Sequence, residues 1–231
     1  MHVPDGVIPL YLQLLMFTLT IISLAIAVMR VNKRLNERVV PYIGVLAAVI
    51  FAAQFVNFPV PPSSGHLVGS TMVAVMLGPW AGMLVIALVL FVQALYGDGG
   101  MLTYGLNFFN MGTFSCLVGW FFALVLFKVL KRKTSERNAV LIGTSVASYI
   151  TTVLAAFVLG LELQTVPGFG IAGLIAITMI HAVIGIGEAI LTFAIMLYFV
   201  KARPQIISFL SGSEVSELAA AVDAPWAKPS E

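Results

Sequence analysis

The sequence predicts an all-α membrane protein, a bundle of seven transmembrane helices with its N-terminus outside the cell and its C-terminus in the cytoplasm. Of its 231 residues, 60% are hydrophobic and only 10% are charged, and the mean hydropathy is +1.05. Soluble domains are much more polar than this. Uncharged stretches of about 18 residues recur along the chain, and each can cross the hydrocarbon core as a helix that satisfies its own backbone hydrogen bonds. All the basic residues also fall on one side of such a bundle.

Apolar runs between helix breakers predict where the seven spans lie. The spans are residues 8–29, 41–57, 66–79, 80–97, 104–128, 138–160 and 171–200. Between the third and the fourth, Gly78-Pro79-Trp80 is the only turn signal, so the alternative is six spans with one long bent segment. Two helices fit the length of this region better. We expect residues 1–204 to form a single transmembrane domain and residues 205–231 to form a cytoplasmic tail.

The positions of the basic residues predict the orientation of the bundle. With seven spans, all twelve lysines and arginines lie on one face, which the positive-inside rule makes cytoplasmic, whereas six spans would split them between two faces. They are Arg30, Lys33, Arg34, Arg38, Lys128, Lys131, Arg132, Lys133, Arg137, Lys201, Arg203 and Lys228. The first ten residues contain no lysine or arginine, so we expect no cleaved signal peptide and a free amine on Met1.

The predicted outer face carries acids and histidines but no bases. Four segments meet there: MHVPDG, FPVPPSSG followed by His66, YGDGGMLTYG, and LELQTVPGFG. Their charged side chains are Asp5, Asp98 and Glu162, which are all negative, so this surface concentrates cations and repels anions. Positive-inside topology by itself accounts for the missing bases. It does not account for the histidines.

His2 predicts a chelate for a divalent transition metal. The Met1 α-amine and the deprotonated His2 amide nitrogen close a five-membered ring with the ion, and the same amide with imidazole Nδ1 closes a six-membered ring. These three nitrogens lie in one plane and leave a fourth position open, which His66 can fill. Four nitrogens in a plane suit Ni(II) or Cu(II), whereas Zn(II) prefers a tetrahedron and Mg(II) or Ca(II) prefers oxygen ligands.

The same residues also have ordinary interpretations. A histidine near an N-terminus is commonly a solvated side chain, and His66 could cap a helix or meet a lipid headgroup.

Pro4 has no N–H and holds Val3 extended, which would stiffen the exit from a chelate. Asp5 and Gly6 predict a turn that tucks the N-terminus into the bundle, with Asp5 accepting a hydrogen bond from the N-terminal segment or from a ligand imidazole.

Five polar residues lie at membrane depth, where an unsatisfied polar atom is costly. Gln93 and Asn107 lie near the outer ends of their helices, so they could line a site or join helices, and Asn110 also needs an internal partner. His181 and Glu188 are seven residues apart, hence on one helix face and about 10.5 Å apart in height. Such a pair fits either a proton relay or a structural contact of the last span, and we favour the structural contact.

The second predicted span has a flat patch of small residues. Ala48 and Ala52 are four residues apart, and Ala47 and Ala53 widen the patch. Small residues at this spacing allow two helices to approach closely. The patch therefore predicts either a contact with a partner protein or packing within the bundle.

Six motifs in order give the chain a resemblance to a known family. They are MHVPDG, SSGHLVG, GPWAGML, FVQALYGDGG, GLNFFNM and HAVIGIGEAILT. With them the chain resembles the substrate-binding S components of nickel and cobalt energy-coupling-factor transporters. The resemblance implies a module in which one extra N-terminal span precedes a six-helix core similar to that of vitamin transporters. MHVPDG and GDGG look more like the nickel branch than the cobalt branch.

The resemblance also implies a binding site and partners. By position, the metal ligands would be the Met1 amine, the His2 amide and imidazole, and His66, which are the groups that the chelate argument selects. Around these ligands we expect a supporting layer of Asp5, Ser64, Gln93, Asp98 and Asn107. The implied partners are a transmembrane coupling protein, ATP-binding-cassette ATPases and a small extra membrane subunit, with Ala48 and Ala52 contacting the coupling protein.

These features predict a subunit that captures Ni(II), or Co(II), outside a prokaryotic cell for ATP-driven import across the cell membrane. The chain has no GxxxxGK[ST] phosphate-binding motif, so a partner would hydrolyse the ATP. The alternative is a self-contained, proton-coupled metal transporter that uses His181 and Glu188. A hydrolase is disfavoured because HExxH and GxSxG motifs are absent. We expect no enzymatic activity, no cofactor besides the transported ion and no nucleic-acid partner.

Overall fold

The computed structural model of the chain describes residues 1–32, 40–202 and 206–211. Within these residues the chain folds mainly into α-helices that are joined by short turns. The helices are α1 Leu10–Asn32, α2 Val40–Gln54, α3 Ser70–Leu77, α4 Pro79–Leu95, α5 Tyr104–Phe108, α6 Ser115–Leu130, α7 Glu136–Glu162, α8 Gly170–Ala202 and α9 Ser208–Ser211. The predicted helical character is confirmed.

Four helical segments are long and apolar enough to cross a membrane. They are Leu10–Val31, Tyr104–Leu130, Glu136–Thr165 and Gly170–Ala202. By length and composition, these segments agree with the predicted multi-pass membrane protein. The apolar helices α2 and α4 are shorter, with 15 and 17 residues. The count of seven spans and the orientation of the termini remain predictions.

The third predicted span differs most from its prediction. We predicted residues 66–79, but α3 has 8 residues, which is about 12 Å of helix against a hydrocarbon core of about 30 Å. The predicted start was wrong because residues up to Gly69 are not helical. The predicted break is confirmed, since α3 ends at Leu77 and α4 begins at Pro79. Every residue of α3 is buried, and α3 packs against α4, α6 and α7 in the centre of the bundle.

The all-α prediction needs one correction, because the segment between α2 and α3 forms a β-hairpin. Strand β1, Asn57–Val60, pairs antiparallel with strand β2, Ser63–His66, and Asn57 lies opposite His66. The prolines of this segment favour extended backbone and turns, and four residues a strand are too few for a periodic pattern to reveal. The hairpin brings Ser63, Ser64 and His66 next to the start of the chain.

Helices α5 and α6 form one continuous helical segment that is interrupted by a π-helical turn, Phe109–Phe114. A π-turn is frequently found at functional sites because it redirects side chains. Here Asn110 lies in the turn and its side chain donates to Glu162 at 2.6 Å, which provides the internal partner that its depth required. Helix α1 packs against α4 and α5, and Thr20 Oγ1 donates to Gly105 O at 2.8 Å.

The first described residues of the predicted tail pack on the bundle. Ile206 and Ile207 are buried, and Ser208 Oγ donates to Val75 O of α3 at 2.7 Å. The remainder of the tail, residue 205 and residues 212–231, lies outside the described residues. So do five of the basic residues on which the orientation depends, Lys33, Arg34, Arg38, Arg203 and Lys228.

Candidate metal-binding site

The first three residues of the chain are buried inside the bundle. Met1 and Val3 are 0% exposed and His2 is 3% exposed, whereas Pro4 and Asp5 are exposed. A charged amine is costly to remove from water. The burial of the Met1 amine together with an imidazole therefore points to a function for this segment.

Side chains from the segment before α5 and from α5 itself hold the backbone of Val3. Asn107 Oδ1 accepts from Val3 N at 2.8 Å, and Asn107 Nδ2 donates to Val3 O at 3.0 Å. Thr103 Oγ1 donates to the same carbonyl at 2.6 Å. Asn107 thus bonds to both backbone groups of Val3, as a neighbouring strand would. Asn107 contacts the backbone of Val3, and its predicted role in supporting the metal ligands remains a prediction.

Asp5 anchors the N-terminal segment at the start of α5. Its Oδ1 accepts from Leu102 N at 2.9 Å and from Thr103 N at 3.0 Å. We expected Asp5 to accept from the N-terminal segment or from a ligand imidazole, and the structure gives it these two amides instead. Gly100 explains part of the GDGG motif, because a Cβ atom at this position would collide with the Asp5 carboxylate.

Replacing Asp5 tests whether this anchor matters for the site. The Asp5→Ala variant should lose about 1 kcal/mol of stability, as expected for removal of a capping carboxylate. It should also bind Ni(II) about tenfold more weakly, because its N-terminal segment is less firmly placed. The Asp5→Asn variant keeps an oxygen acceptor and should recover most of the stability and most of the nickel affinity. Thermal unfolding and nickel titration measure these effects, and equal affinities for the Ala variant and the parent would refute the anchoring role.

Ser64 faces the two backbone nitrogens that the predicted chelate uses. Its Oγ accepts from His2 N at 3.0 Å and from the Met1 amine at 3.5 Å. Ser63 Oγ donates to His2 O at 2.9 Å. Two serines of the hairpin thus bind the N–H and the carbonyl of His2. The amine and the amide converge on one oxygen atom. An ion chelated by both nitrogens would lie on the side that Ser64 Oγ now occupies.

His66 is fully buried and presents one free nitrogen. Its Nδ1 lies 2.7 Å from Leu67 O, and its Nε2 has no hydrogen-bond partner among the described residues. A carbonyl only accepts, so Nδ1 carries the proton and Nε2 carries the lone pair, as a metal ligand requires. The rings of His2 and His66 stack with centroids 4.5 Å apart. The structure thus brings Met1, His2 and His66 together; that they bind an ion remains a prediction.

Asp98 and Gln93 lie beside the His2 ring. Nδ1 of His2 is 3.1 Å from Asp98 Oδ1, which would be an ion pair only with a protonated imidazole, and the contact lacks the alignment of a hydrogen bond. Asn57 Nδ2 also donates to this carboxylate oxygen, at 3.1 Å. Gln93 is buried, and neither of its amide atoms has an aligned partner in the described part of the chain. Gly99 has φ +86°, and a Cβ there would lie 3.1 Å from the His2 ring.

Burial keeps the nitrogens of the site neutral. It lowers the pKa of the Met1 amine well below 8.0 and the pKa of His66 well below 6.5. It also lowers the pKa of His2, with the Asp98 contact opposing this effect. Burial by itself would raise the pKa of Asp98, but the contacts with His2 and Asn57 and the nearby Met1 amine together outweigh it, and the pKa falls. Near neutral pH the amine and both imidazoles therefore retain their lone pairs.

These shifts predict how many protons nickel releases on binding. In the free peptide MHVPDG at pH 7, the amine has its ordinary pKa of about 8 and is mostly protonated, so binding releases about two protons, one from the amine and one from the amide. The protein should release about one, because its amine is already neutral. Lower pH should weaken binding in both, and more steeply in the peptide. Calorimetry in buffers of different ionisation enthalpy gives the count, and equal counts would contradict the neutral site.

Side-chain donors by themselves do not form a metal site in the described residues. No group of three or more His, Cys, Asp or Glu is arranged there to hold an ion. The proposed donor set consists of two imidazoles and two nitrogens of the main chain, which only a free N-terminus can supply.

Glu188 and His181 have separate partners. Glu188 Oε2 accepts from Val68 N at 2.8 Å and its Oε1 accepts from Gly69 N at 2.7 Å, just before α3 begins. Glu188 thereby joins α8 to the segment that follows His66, which agrees with the structural role we favoured. His181 Nδ1 lies 2.8 Å from Ile177 O in its own helix.

Sequence reasoning missed Ser63, Thr103 and Asn57. Ser63 and Thr103 lie inside the motifs SSGHLVG and YGDGGMLTYG, which mark them as neighbours of the site. Their contacts join residues 61 and 100 positions apart, and Asn57 reaches Asp98 over 41 positions. Nothing in the local sequence indicates such pairings.

The helices and the comparisons with known proteins together define a multi-pass membrane protein for metal transport. The chain belongs to the CbiM family, which is described as the cobalt uptake substrate-specific transmembrane region and matches residues 2–206. The resemblance predicted from the motifs is confirmed. As predicted, this is a family of metal-transport components and not of enzymes.

Individual relatives are named for nickel, for cobalt or for metals in general. A putative fused nickel transport protein NikMN of Archaeoglobus fulgidus is 32% identical over 90% of this chain and 68% of its own length. A putative metal transport protein of Haloquadratum walsbyi is 32% identical over 90% and 93%. The putative cobalt transport protein CbiM 1 of Methanosarcina barkeri is 28% identical over 94% and 98%.

The fold is also similar to a solved structure. A crystal structure of a transition metal transporter superimposes with a TM-score of 0.79 and 29% identity, over 87% of this chain and 93% of that one.

Proposed function

We propose that the chain is the substrate-binding S component of an ATP-driven energy-coupling-factor importer and that it captures Ni(II), or Co(II), from outside the cell. The observation that supports this most strongly is the burial of the Met1 amine beside two buried imidazoles. Relatives named for nickel and for cobalt transport support the substrate class.

The donor set favours a late first-row transition metal. The Met1 amine, the His2 amide and imidazole, and His66 Nε2 would form a plane of four nitrogens around the ion. Nitrogen donors in a plane are typical of Ni(II) and Cu(II) sites, and hard ions such as Mg(II) bind them poorly. Loss of the amide proton makes a strong donor that a solvated histidine does not offer. We favour nickel as the substrate for this reason.

Import against a concentration gradient requires an energy source. The chain has no GxxxxGK[ST] motif with which it could bind ATP itself. We propose that a transmembrane coupling protein and ATP-binding-cassette ATPases provide it, and that a small extra membrane subunit assists. Ala48 and Ala52 are both exposed on α2, which supports their predicted role in contacting the coupling protein. The chain would sit in the cell membrane of a prokaryote.

A bulky residue on α2 tests the proposed docking surface. The Ala48→Trp variant should bind Ni(II) like the parent, because position 48 is exposed and makes none of the contacts described for the site. Nickel uptake with the partner subunits should fall at least about fivefold, equivalent to about 1 kcal/mol of overpacking at a close helix contact. A matched control is Ile21→Trp, at an exposed position of α1. Uptake of radioactive nickel measures the effect, and equal rates for both variants would exclude this surface.

Vesicle transport distinguishes the ATP-driven importer from a proton-coupled transporter. Both carboxylate oxygens of Glu188 accept backbone N–H groups, which supports a fixed structural role over a proton relay. The purified chain in liposomes should therefore show no nickel uptake under a pH gradient. Uptake without any ATPase would contradict the proposal.

We also propose seven spans with the N-terminus outside, because this arrangement collects the basic residues on the cytoplasmic face. A cysteine introduced at Gly168, in the exposed turn before α8, should react with a membrane-impermeant reagent added to intact cells. Labelling only after the cells are opened would show that this turn faces the cytoplasm, and it would contradict the proposed orientation.

A further inference from the structure

Three residues connect strand β2 to helix α3, and we call these residues, 67–69, the linker. The first peptide unit of the linker joins the Leu67 carbonyl to the Val68 amide. Its oxygen accepts from His66 Nδ1 at 2.7 Å, and its N–H donates to Glu188 Oε2 at 2.8 Å. The C=O and N–H of a trans peptide point in opposite directions. The imidazole of His66 and a carboxylate of α8 therefore bond to opposite sides of one peptide group.

The second peptide unit of the linker is held in the same way. Gln54 Nε2 of α2 donates to Val68 O at 2.7 Å, and Gly69 N donates to Glu188 Oε1 at 2.7 Å. Gln54 is 0% exposed and Glu188 is 2% exposed. All four polar atoms of the two peptide units thus have a side-chain partner, although the linker belongs to no helix or strand.

The irregular backbone of the linker leaves one carbonyl available to His66. In the helix that we predicted for residues 66–79, Leu67 O would accept from the amide four residues later, and the backbone would need no side-chain partners. Irregular backbone within a membrane must have its polar atoms satisfied by the surrounding protein. Here two buried polar side chains satisfy them, and Leu67 O is left to accept from His66 Nδ1.

The start of the chain is held by contacts of the same kind. Asn107 bonds to the N–H and to the carbonyl of Val3, which directly follows the first imidazole of the site. Glu188 and Gln54 bond to the N–H and to the carbonyl of Val68, two residues after the second imidazole. Buried polar side chains thus fix the backbone next to both imidazoles of the proposed donor set.

These bonds have a chemical consequence for His66. The group that accepts the Nδ1 proton of a ligand histidine fixes the orientation of the ring and makes Nε2 a better donor. Hydrogen bonds in a chain polarise one another. Leu67 O is therefore a stronger acceptor because the N–H of its own peptide unit is bonded to the Glu188 carboxylate.

We propose that Gln54 and Glu188 are positioning residues for the ligand His66, and that they act through the two peptide units of the linker. This inference rests on the proposed function, in which Nε2 of His66 binds the transported ion. Gln54 also lies on the helix whose exposed residues Ala48 and Ala52 form the proposed docking surface. Helix α2 thus contacts the linker through one residue and offers the docking surface through others.

A double-mutant cycle tests whether Gln54 acts through His66. Gln54→Met keeps the length of the side chain but removes the N–H that Val68 O accepts. In the otherwise unchanged protein it should raise the Kd for Ni(II) about tenfold. In the His66→Ala background it should leave the Kd unchanged, because the ligand that it positions is absent. Nickel titration of the metal-free proteins measures both values. An equal loss in the two backgrounds, or no loss in either, would overturn the inference.

Leu46→Met is the matched control on the same helix. Leu46 is 3% exposed, and its replacement by methionine removes no hydrogen bond. This variant should bind nickel like the parent in both backgrounds. A loss of affinity equal to that of Gln54→Met would assign the effect to the packing of α2 and overturn the inference.

Hydrogen exchange in the unmodified protein tests the role of Glu188 and does not depend on how a variant folds. If the bonds from Val68 N and Gly69 N to Glu188 position His66, an ion that holds His66 must stabilise these bonds in return, because coupling is reciprocal. One equivalent of Ni(II) should therefore slow the exchange of these two amides at least about fivefold. Unchanged exchange, or equal slowing throughout α7, would overturn the inference.

Failure of the proposed function gives a different result from failure of this inference. If His66 is not a ligand, His66→Ala binds nickel as tightly as the parent, and both proposals are overturned. If His66→Ala weakens binding but Gln54→Met does not, the proposed function stands and the positioning role of Gln54 is overturned.

Discussion

Extending the chain by three residues before Met1 should abolish tight nickel binding. The extension removes the α-amine from the chelate, and the amine that replaces it lies three residues away. It also has no room, because Met1 is 0% exposed and its amine contacts Ser64 inside the bundle. Loss of a chelating nitrogen together with displacement of the segment should weaken binding by at least about 100-fold. Absorption spectroscopy during a nickel titration measures the effect, since the band of nitrogen-bound Ni(II) should be missing.

The control adds the same three residues at the C-terminus, where nickel affinity should not change. A single residue before Met1 is unsuitable as a test, because it would put the histidine at position three and create an independent chelate of four nitrogens. If the chain with the three-residue N-terminal extension bound nickel as tightly as the parent, the amine could not be a ligand.

The second large effect is expected for His66→Ala. The variant keeps the three nitrogens of Met1 and His2, and a water molecule completes the plane. Its affinity for Ni(II) should fall roughly 10- to 100-fold, and its absorption band should move to longer wavelength because water is a weaker ligand than imidazole. Titration of the purified, metal-free variant measures both changes.

His66→Asn is a useful companion to this variant. Asparagine can still donate to Leu67 O from near the position of Nδ1, so the hairpin should be less disturbed than by alanine. Both variants lack Nε2, and both should therefore weaken binding to a similar extent. Parent-like affinity in the Asn variant would mean that His66 acts through its hydrogen bond to Leu67 O, and it would remove His66 from the ligand set.

Much of the helical architecture could be predicted, because apolar length and breakers are local signals. Gly78-Pro79 marks the end of α3 and the start of α4 as expected. Apolar composition does not identify a membrane-spanning helix where the apolar residues are buried inside the protein. Helix α3 is apolar because the other helices enclose it, and its 8 residues are too few to span a bilayer. The β-hairpin Asn57–His66 was missed because its prolines and serines resemble those of an irregular loop.

The candidate ligands could be selected from the sequence because a chelate of an amine, an amide and an imidazole is local chemistry within two residues. The position of His66 beside them could only be suggested, by its place on the predicted outer face. The residues that hold the N-terminal segment were harder to assign. Asp5 was recognised but given the wrong partner, and Thr103 was overlooked, since their contacts depend on how the start of the chain packs against α5.

X-ray absorption at the nickel K-edge tests the central claim most directly. The sample is the protein with its authentic N-terminus and one equivalent of Ni(II). We predict a planar or square-pyramidal ion with at least four nitrogen donors, at least two of which show the outer-shell scattering of imidazole. An octahedral ion with mostly oxygen donors would contradict the account.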